Sequence, residues 1–284
     1  MNIFKDTMSE MTYEQVEKLV EQEAIVLFPV GIIEEHGPHL PLGTDIYLAY
    51  KQAHDVWEEL NSMKIPCVIA PPFYLGGVQA LTRHFPGTFA FSKETIMACI
   101  EEYLENLNRF GFKRVVVFND HGDGLHISAI VEAIKNANRK LELQAYWMEY
   151  EYELKEHGFS GEEDYILKLT DMPFEEMFQI SKEPRDAFDV HAGAFETATM
   201  REIYPEAVRE NTLTMLEPTF LQGEQIGKWC NGAAEDKALI PNGYVGDPKS
   251  SQYIETNLKE ADRQIAMDIV NSFGKQVNDN YEQI

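Results

Sequence analysis

The sequence predicts an α/β fold: a single domain in which a mainly parallel central sheet is flanked by helices. Short apolar runs typical of buried strands alternate along the chain with longer amphipathic runs typical of helices. Parallel strands need helical crossovers of this kind, whereas antiparallel strands can be joined by short turns. A chain of 284 residues can bury the core of one such domain, spanning residues 1–284.

The strand candidates are apolar runs, the first three of them apolar enough for burial on both faces of a sheet. They are residues 24–30, 67–70, 114–119 and 141–148. The clearest helix covers residues 93–110, where apolar residues recur at every third or fourth position. We expect two further helices, one after Gly124 and one from about residue 254 to 277.

Residues 149–189 differ from the rest of the chain in composition. Acidic side chains outnumber basic ones here and are interleaved with aromatic ones. This pattern fits a solvated helical excursion as well as it fits a lid over a functional site or a contact between subunits. The sequence alone leaves all three interpretations open.

The charge of the chain excludes several classes of partner. It carries 24 Lys and Arg residues against 48 Asp and Glu residues, a net charge of −24 at pH 7. A surface this acidic repels phosphate backbones and anionic membranes, so we expect no nucleic acid and no membrane partner. Cations and small neutral or zwitterionic molecules remain as ligands.

The lack of a recognisable targeting signal and the spacing of the cysteines favour a cytoplasmic protein. The sequence has no apolar run of about 18 residues that could span a membrane. Its N-terminus lacks the basic and apolar regions of a signal peptide. The three cysteines lie far apart, which argues against a disulfide framework or a zinc ribbon.

The loop after the first strand candidate concentrates side chains that bind metals. Glu34, His36, His39 and Asp45 follow one another closely, separated by glycines and prolines that prevent regular structure. Such a loop can fold its carboxylates and imidazoles around a cation. The mixture of nitrogen and oxygen ligands favours Zn²⁺, Mn²⁺ or Fe²⁺ over Ca²⁺.

Three further polar clusters lie in glycine-containing turns, and open α/β sheets place their ligands in turns of this kind after the strands. They contain, in chain order, Arg83 and His84, His121 and Asp123, and His191 and Glu196. A single cluster of this kind usually belongs to a turn without a functional role. Four clusters in one chain indicate a functional site, because a soluble protein has little structural reason to place so many histidines and carboxylates in ordered loops.

Five motifs carry a resemblance to a known family. They are Glu34-x-His36-Gly-Pro-His-Leu-Pro-x-Gly-Thr-Asp45, Phe85-Pro-Gly-Thr88, Asn119-x-His121-Gly, His191-Ala-Gly-x-x-Glu-Thr197 and Gly243-Tyr-Val-Gly-Asp-Pro248. In this order they resemble the motif set of the creatininase (creatinine amidohydrolase) family over roughly residues 24–250. The first motif is long enough to be specific.

The resemblance implies a creatininase-like α/β domain that assembles into homo-oligomers, often hexamers. It implies a centre of two divalent metal ions per chain with Glu34, His36, Asp45 and His121 as ligands and Asp45 as the bridge. It also implies that His191 transfers a proton to the leaving group. Glu196 would then orient His191 or contact the substrate.

Two departures from the family pattern bear on the site. Creatininase has a glutamate ligand two residues after the histidine of the third motif, and Asp123 is its shorter counterpart here, so we predict Asp123 as a fifth ligand. Many relatives carry a histidine three residues before Phe-Pro-Gly-Thr, where this chain has Thr82 followed by Arg83 and His84. We expect Arg83 and His84 to bind the substrate, and we expect that substrate not to be creatinine.

The function expected from these residues is metal-dependent hydrolysis of a small molecule. Two nearby cations can activate a bridging water and polarise a carbonyl group, and the resulting hydroxide would cleave the C–N bond of a small cyclic amide or formamide. The alternative is hydrolytic C–C ring opening of a cyclic diketone such as an oxidised inositol, with Arg83 holding the enolate. A non-catalytic metal-binding protein is a third class, disfavoured by the intact ligand set.

Overall fold

Five parallel strands form the central sheet of the protein, whose computed structural model describes residues 1–182 and 189–273. The strands are β1 (Ile25–Val30), β2 (Cys67–Ile69), β3 (Arg114–Asn119), β4 (Gln144–Glu149) and β5 (Ile166–Lys168), in the spatial order β2-β1-β3-β4-β5. The register places Ile25 of β1 beside Cys67 of β2 and beside Arg114 of β3. Strands β1 and β3 therefore end side by side at the same edge of the sheet.

The helices flank this sheet on both faces. They are α1 (Tyr13–Glu21), α2 (Thr44–Ser62), α3 (Lys93–Phe110), α4 (Gly124–Lys140), α5 (Glu151–Glu156), α6 (Phe174–Met177), α7 (Ala194–Ile203), α8 (Glu210–Leu213), α9 (Glu224–Asn231) and α10 (Lys259–Ser272). A small antiparallel pair, β6 (Phe178–Ile180) and β7 (Ile254–Thr256), lies outside the central sheet. No helix within the described residues combines the length and apolar character needed to span a bilayer.

The alternation of side chains in the buried strands builds two apolar layers. Val26 and Phe28 of β1 pack in the layer that contains the apolar faces of α3 and α4. Ile25 and Leu27 point to the other layer, which contains the apolar faces of α2 and α10. Every residue of β1 is therefore buried between these two layers.

The predicted fold class is confirmed, and several elements have the predicted bounds. Helix α3 covers the predicted residues 93–110: Ser92 caps its start by accepting a hydrogen bond from the Thr95 N–H, and Gly111, with φ of 111°, ends it. Strand β4 starts three residues later than the predicted 141–148, because Leu141 still caps the end of α4.

The predicted helix over residues 254–277 is wrong at its start. Residues Ile254–Thr256 form β7, which pairs with β6 from a distant part of the chain, and the helix begins only at Lys259. Its predicted end lies outside the described residues. The acidic segment 149–189 is described up to residue 182, and it is not a solvated excursion throughout, since it supplies β5 to the central sheet.

Candidate metal centre

Three chain segments meet at the edge where β1 and β3 end. The loop between β1 and α2 carries Glu34 and His36, and the first turn of α2 carries Asp45. The turn between β3 and α4 carries His121. The third segment lies far along the chain and brings His191 and Glu196, the latter in the first turn of α7.

Close backbone packing sets the position of Asp45. A Cβ atom at Gly31, directly after β1, would lie only 3.0 Å from the backbone nitrogen of Ile46. The absence of a side chain at Gly31 thus lets the start of α2 approach the end of β1. Within the loop, Gly37 adopts a φ of 65°, which glycine accepts without strain and which turns the chain between His36 and His39.

The first cluster consists of Glu34, Asp45 and His121, all of them buried. The Nδ1 atom of His121 lies 3.2 Å from Oε2 of Glu34 and 3.2 Å from Oδ2 of Asp45. The other ring nitrogen of His121, Nε2, lies 3.0 Å from the carbonyl oxygen of Gly77 and donates to it. This hydrogen bond leaves the Nδ1 lone pair directed at the carboxylates, as a metal-binding histidine requires.

The second cluster consists of His36, His191 and Glu196. The Nε2 atom of His36 lies 3.2 Å from Oε1 of Glu196 and 2.8 Å from Oδ1 of Asp45. The Nδ1 atom of His36 lies 3.0 Å from the carbonyl oxygen of Glu34, a contact that fixes the ring. The two oxygens of Asp45 thus face different clusters, one each.

Several atoms of the two clusters are buried and make no hydrogen bond of good geometry, although each lies 2.8–3.2 Å from an atom of another cluster residue. They are Oε2 of Glu34, Nε2 of His36 and Oδ2 of Asp45. Buried polar atoms in proteins are nearly always hydrogen-bonded, so exceptions call for a specific explanation such as an ion. Nitrogen and carboxylate oxygen atoms converging in this way fit a divalent transition metal.

The charges of the clusters explain the shifted pKa values. Burial lowers the pKa of His36, but the carboxylates of Asp45 and Glu196 outweigh burial and raise it well above its usual value. The pKa of His121 is raised to about 9, because Glu34 and Asp45 outweigh the effect of burial. The carboxylates thus create a negative potential that a divalent cation would neutralise.

His191 is held differently from the other two histidines. Its Nε2 atom lies 2.8 Å from the carbonyl oxygen of Glu35, and a carbonyl oxygen can only accept, so Nε2 carries the proton of the neutral ring. Burial, the largest influence, and the charge of His36 lower the pKa of His191. In this form Nδ1 carries a lone pair and can accept a proton.

Glu196 contributes to the site in two ways. While Oε1 faces His36, Oε2 accepts a hydrogen bond from the backbone N–H of Ala192. Ala192 has a φ of 49°, a left-handed conformation that costs a non-glycine residue free energy and that occurs mainly at functional sites. The contact joins residues only four positions apart, across the start of α7.

The structure gives Asp123 a different position from the predicted one. Oδ1 accepts from the N–H of Leu125 and caps α4, and Oδ2 accepts from the N–H groups of Gln79 and Ala80, at 2.8 and 3.1 Å. Both oxygens are thus occupied by backbone donors, and Asp123 is part of neither cluster.

Arg83 and His84 also lie away from the clusters. Arg83 is exposed, and His84 makes a 2.7 Å hydrogen bond through Nε2 to the carbonyl oxygen of Gly232. Neither residue lines the large cavity next to the clusters. The predicted contact of both residues with a substrate therefore has no geometric support in the described residues.

The cavity beside the clusters has a volume of about 1490 Å³. Its lining includes Glu34, Asp45, His121, His191 and Glu196. Because pockets for small molecules are typically about 300–1,000 Å³, this one has room for a small molecule and for neighbouring water. Parts of α5, α7 and α10 complete its walls.

Buried clusters of histidine and carboxylate at the ends of parallel strands, beside a cleft, are the arrangement expected of a metal-dependent α/β protein that acts on small molecules. Comparison with known proteins then identifies the family. The family model described as creatininase, creatinine amidohydrolase, matches residues 9–255. The chain belongs to the creatininase family and is a hydrolase of that family.

Three relatives with different names are similar to this chain. The chain is 25% identical to the creatinine amidohydrolase of Pseudomonas putida, over 71% of this chain and 73% of that protein. It is 26% identical to the mycofactocin precursor peptide peptidase of Mycobacterium ulcerans, over 81% of this chain and 77% of that protein. It is 28% identical to the 3-dehydro-scyllo-inosose hydrolase of Thermotoga maritima, over 39% of this chain and 34% of that protein.

Solved structures confirm the creatininase-like fold. The chain matches a crystal structure of creatinine amidohydrolase with a TM-score of 0.64 and 20% identity, covering 97% of each chain. Other matched creatininase structures are described as a manganese form and a Zn–Zn form. In this chain the two buried clusters are groups that could hold a metal ion.

The contacts of Asp123 yield a first prediction. We expect Asp123→Ala to lower the free energy of unfolding by about 1–2 kcal/mol, because the cap of α4 and the two bonds to the loop at residues 79–80 are lost. Metal content should stay unchanged, since Asp123 is in neither cluster. Chemical denaturation and elemental analysis measure the two effects.

Asp123→Asn is the matched control, because the amide oxygen can still cap the helix and the loss of stability should be smaller. A clear loss of metal in Asp123→Ala with unchanged stability would return Asp123 to the ligand set.

Proposed function

We propose that the two clusters hold two divalent cations that share Asp45. Glu34, Asp45 and His121 would bind one ion, and His36, Asp45 and Glu196 would bind the other. The observation that carries this proposal is that Oδ1 of Asp45 faces His36 at 2.8 Å, whereas Oδ2 faces His121 at 3.2 Å. Zn²⁺, Mn²⁺ and Fe²⁺ all suit this mixture of nitrogen and oxygen ligands.

The reaction we propose is hydrolysis of a C–N bond in a small cyclic amide or formamide. When bound, the ions would acidify the attacking water and polarise the substrate carbonyl. Two of the three named relatives, an amidohydrolase and a peptidase, act on amide bonds by name, and they match the larger shares of this chain. Ring opening of a cyclic diketone is the alternative, suggested by the match to the inosose hydrolase.

His191 would move the proton in this reaction. Its Nε2–H is committed to the carbonyl oxygen of Glu35, so the available site is Nδ1. Nδ1 can take a proton from the attacking water and pass it to the leaving nitrogen, which is basic and must be protonated to depart. The same contact with Glu35 keeps the ring from turning away between the two steps.

Residues 149–182 would form one wall of the substrate cleft. Tyr150, Tyr152 and Glu153 of this segment line the same cavity as the clusters. This position supports the lid among the three interpretations of the segment. Assembly into a homo-oligomer and a cytoplasmic location remain predictions.

The first test of the metal centre uses its shared ligand. We expect Asp45→Asn to lose both ions, because a neutral amide bridges two cations poorly, and His36→Ala to lose mainly one ion. Elemental analysis of protein reconstituted with Zn²⁺ or Mn²⁺ measures the number of metal ions bound per chain. An unchanged metal content in Asp45→Asn would refute the shared site.

The matched control is a third group, on α2, where His54, Asp55 and Glu58 also come close together. That group is more exposed, and Asp55 is already paired with Lys51. Asp55→Asn should therefore leave the metal content at the level of the unmodified protein.

The role of His191 is tested by comparing metal content with turnover. We expect His191→Ala to keep its metal and to lose about 10²–10⁴-fold in kcat, the usual contribution of a general acid–base. A parallel loss of metal and activity would instead make His191 a ligand of the second cluster.

The bond that is cleaved can be identified with a substrate panel. We expect the metal-loaded protein to release amine or ammonia from cyclic amides or formamides, detected by mass spectrometry, and to leave cyclic diketones intact. Arg83→Ala should leave turnover unchanged, because Arg83 does not line the cavity. If the protein turned over diketones but no amides, the proposal of a C–N bond would be wrong. The proposal of the metal centre would be unaffected by that result.

A further inference from the structure

One histidine of the loop after β1 takes no part in the two clusters. His39 is fully buried, and its Nε2 atom lies 2.9 Å from the hydroxyl oxygen of Thr197. Thr197 is fully buried as well and directly follows Glu196 in α7. His39 comes shortly after His36 in the loop. The bond therefore joins the two chain segments that bring His36 and Glu196 together, although its own partners are 158 positions apart in the sequence.

The ring of His39 is neutral at pH 7. Burial, the largest influence, lowers its pKa to about 4, although the charge of Glu196 and a backbone hydrogen bond with Ala192 act in the opposite direction. A neutral imidazole has one nitrogen that donates and one that accepts, and a hydroxyl group can match either of them. The bond to Thr197 therefore forms without placing a further positive charge beside a site that would hold a cation.

The residues around His39 fix the orientation of its ring. The ring of Tyr244 lies edge-on to it, with centroids 5.9 Å apart and planes at 86°. A Cβ atom at Gly37 would lie only 3.0 Å from Nδ1 of His39 and 3.0 Å from the ring of Tyr244, so both rings pack closely against this glycine. The Tyr244 hydroxyl donates to the carbonyl oxygen of Glu217. In packing this close, the His39 ring has little freedom to turn away from Thr197.

The same packing gives a role to the last of the five sequence motifs. Tyr244 is followed by Val245, whose backbone N–H donates to the carbonyl oxygen of His191 at 2.9 Å. One residue of the motif thus holds the His39 ring, while the next holds the backbone of the segment that carries His191 and Glu196. This motif therefore supports both sides of the bond between the loop and α7.

The bond between His39 and Thr197 does not use the atoms that would bind an ion. His36 and Glu196 contact each other directly, with Nε2 and Oε1 3.2 Å apart. An ion at this cluster would engage these two atoms, so their mutual contact cannot set the spacing of the segments once an ion binds. The hydrogen bond of His39 can persist in both states. It can therefore hold the ligands at their spacing before the ion arrives, and preorganisation of this kind raises affinity.

The first cluster does not depend on this bond. Its residues Glu34, Asp45 and His121 lie in the loop after β1, in the first turn of α2 and in the turn before α4. None of these three residues belongs to α7. Movement of α7 away from the loop would therefore separate Glu196 from His36 and leave the first cluster assembled.

We propose that His39 is a positioning residue, which holds α7 against the loop after β1 through Thr197 and thereby sets the affinity of the second metal site. The inference rests on the proposed metal centre and assigns a role to two residues that lie outside both clusters. Loss of the bond weakens the binding of the second ion and leaves the first ion in place. A histidine that only fills the core would, when replaced, lower the stability of the protein without distinguishing between the two ions.

The test measures the affinity of each ion separately. The full-length protein is stripped of metal and titrated with Zn²⁺ against a competing fluorescent chelator, which gives a dissociation constant for each ion. His36→Ala, which lacks a ligand of the second site only, provides the dissociation constant of the first site. We expect His39→Leu to bind the second ion about 10–100-fold more weakly, as is typical when a group that orients metal ligands is lost. Its affinity for the first ion should equal that of the unmodified protein.

Variants of Thr197 show whether His39 acts through this bond. Thr197→Val matches the shape of threonine without the hydroxyl group and should weaken the second ion as much as His39→Leu does. Thr197→Ser keeps the hydroxyl group and should retain most of the affinity. The double variant His39→Leu/Thr197→Val should bind the second ion no more weakly than the single variants, because all three lack the same bond. If His39→Leu does not fold, the comparison of Thr197→Val with Thr197→Ser still decides the question.

Tyr103→Phe is the matched control for the loss of a hydrogen bond elsewhere in the fold. The Tyr103 hydroxyl donates to the carbonyl oxygen of Pro71 at 2.8 Å, and its ring packs in the apolar layer of α3 and α4. This variant should lose stability, because one hydrogen bond is missing, and should still bind both ions as the unmodified protein does.

Unchanged binding of the second ion in both His39→Leu and Thr197→Val would overturn the inference. Equal weakening of both ions, or an additive loss in the double variant, would overturn it as well. In each of these cases the unmodified protein still binds two ions, so the proposed metal centre stands. A protein that takes up no ion at all refutes the proposed metal centre and the inference with it.

Discussion

The position of the Asp45 carboxylate is the constraint on which the rest of the site depends. One oxygen faces His36 and the other faces His121, so the two clusters exist as a pair only because this side chain lies between them. Asp45 belongs to the first turn of α2, where the helix dipole favours a negative charge. Gly31 lets that turn approach the end of the fully buried β1, and this close packing sets the position of Asp45 beside the loop that follows β1.

The sheet order explains why the first cluster assembles from two distant stretches of sequence. Strands β1 and β3 are neighbours in the order β2-β1-β3, so the loops that follow them carry Glu34 and His121 to the same edge. The segment with His191 does not belong to this sheet. It is held instead by backbone bonds between His191 and Val245 and by the bond from His191 to the carbonyl oxygen of Glu35. If these bonds were lost, His191 and Glu196 would move away from His36, and the second cluster would come apart. The first cluster would stay in place, because none of its residues lies on this segment.

Much of this arrangement could be predicted from the sequence, and the limits have physical reasons. The buried strands and α3 follow from local periodicity, and the ligand types stand in one glycine-rich and proline-rich loop. The sequence did not indicate that the Asp123 carboxylate lies apart from the clusters, because a capping aspartate and a ligating aspartate look alike in sequence. The N–H groups of Gln79 and Ala80 decide the difference, and they come from more than 40 residues away. The strand β7 was missed for the same reason, since its partner β6 is remote.

Glu196 links the metal centre to the proposed proton transfer. Its Oε1 atom faces His36, while Oε2 accepts from the N–H of Ala192, the residue next to His191. Ala192 keeps its left-handed conformation, with φ of 49°, against a cost of order 1–3 kcal/mol, and the carboxylate supplies part of the compensation. Loss of this carboxylate would therefore remove a ligand from the second proposed ion site and release the backbone that aims His191. Because two functions share one side chain, the effects of substitutions at Glu196 and His191 on catalysis cannot be additive.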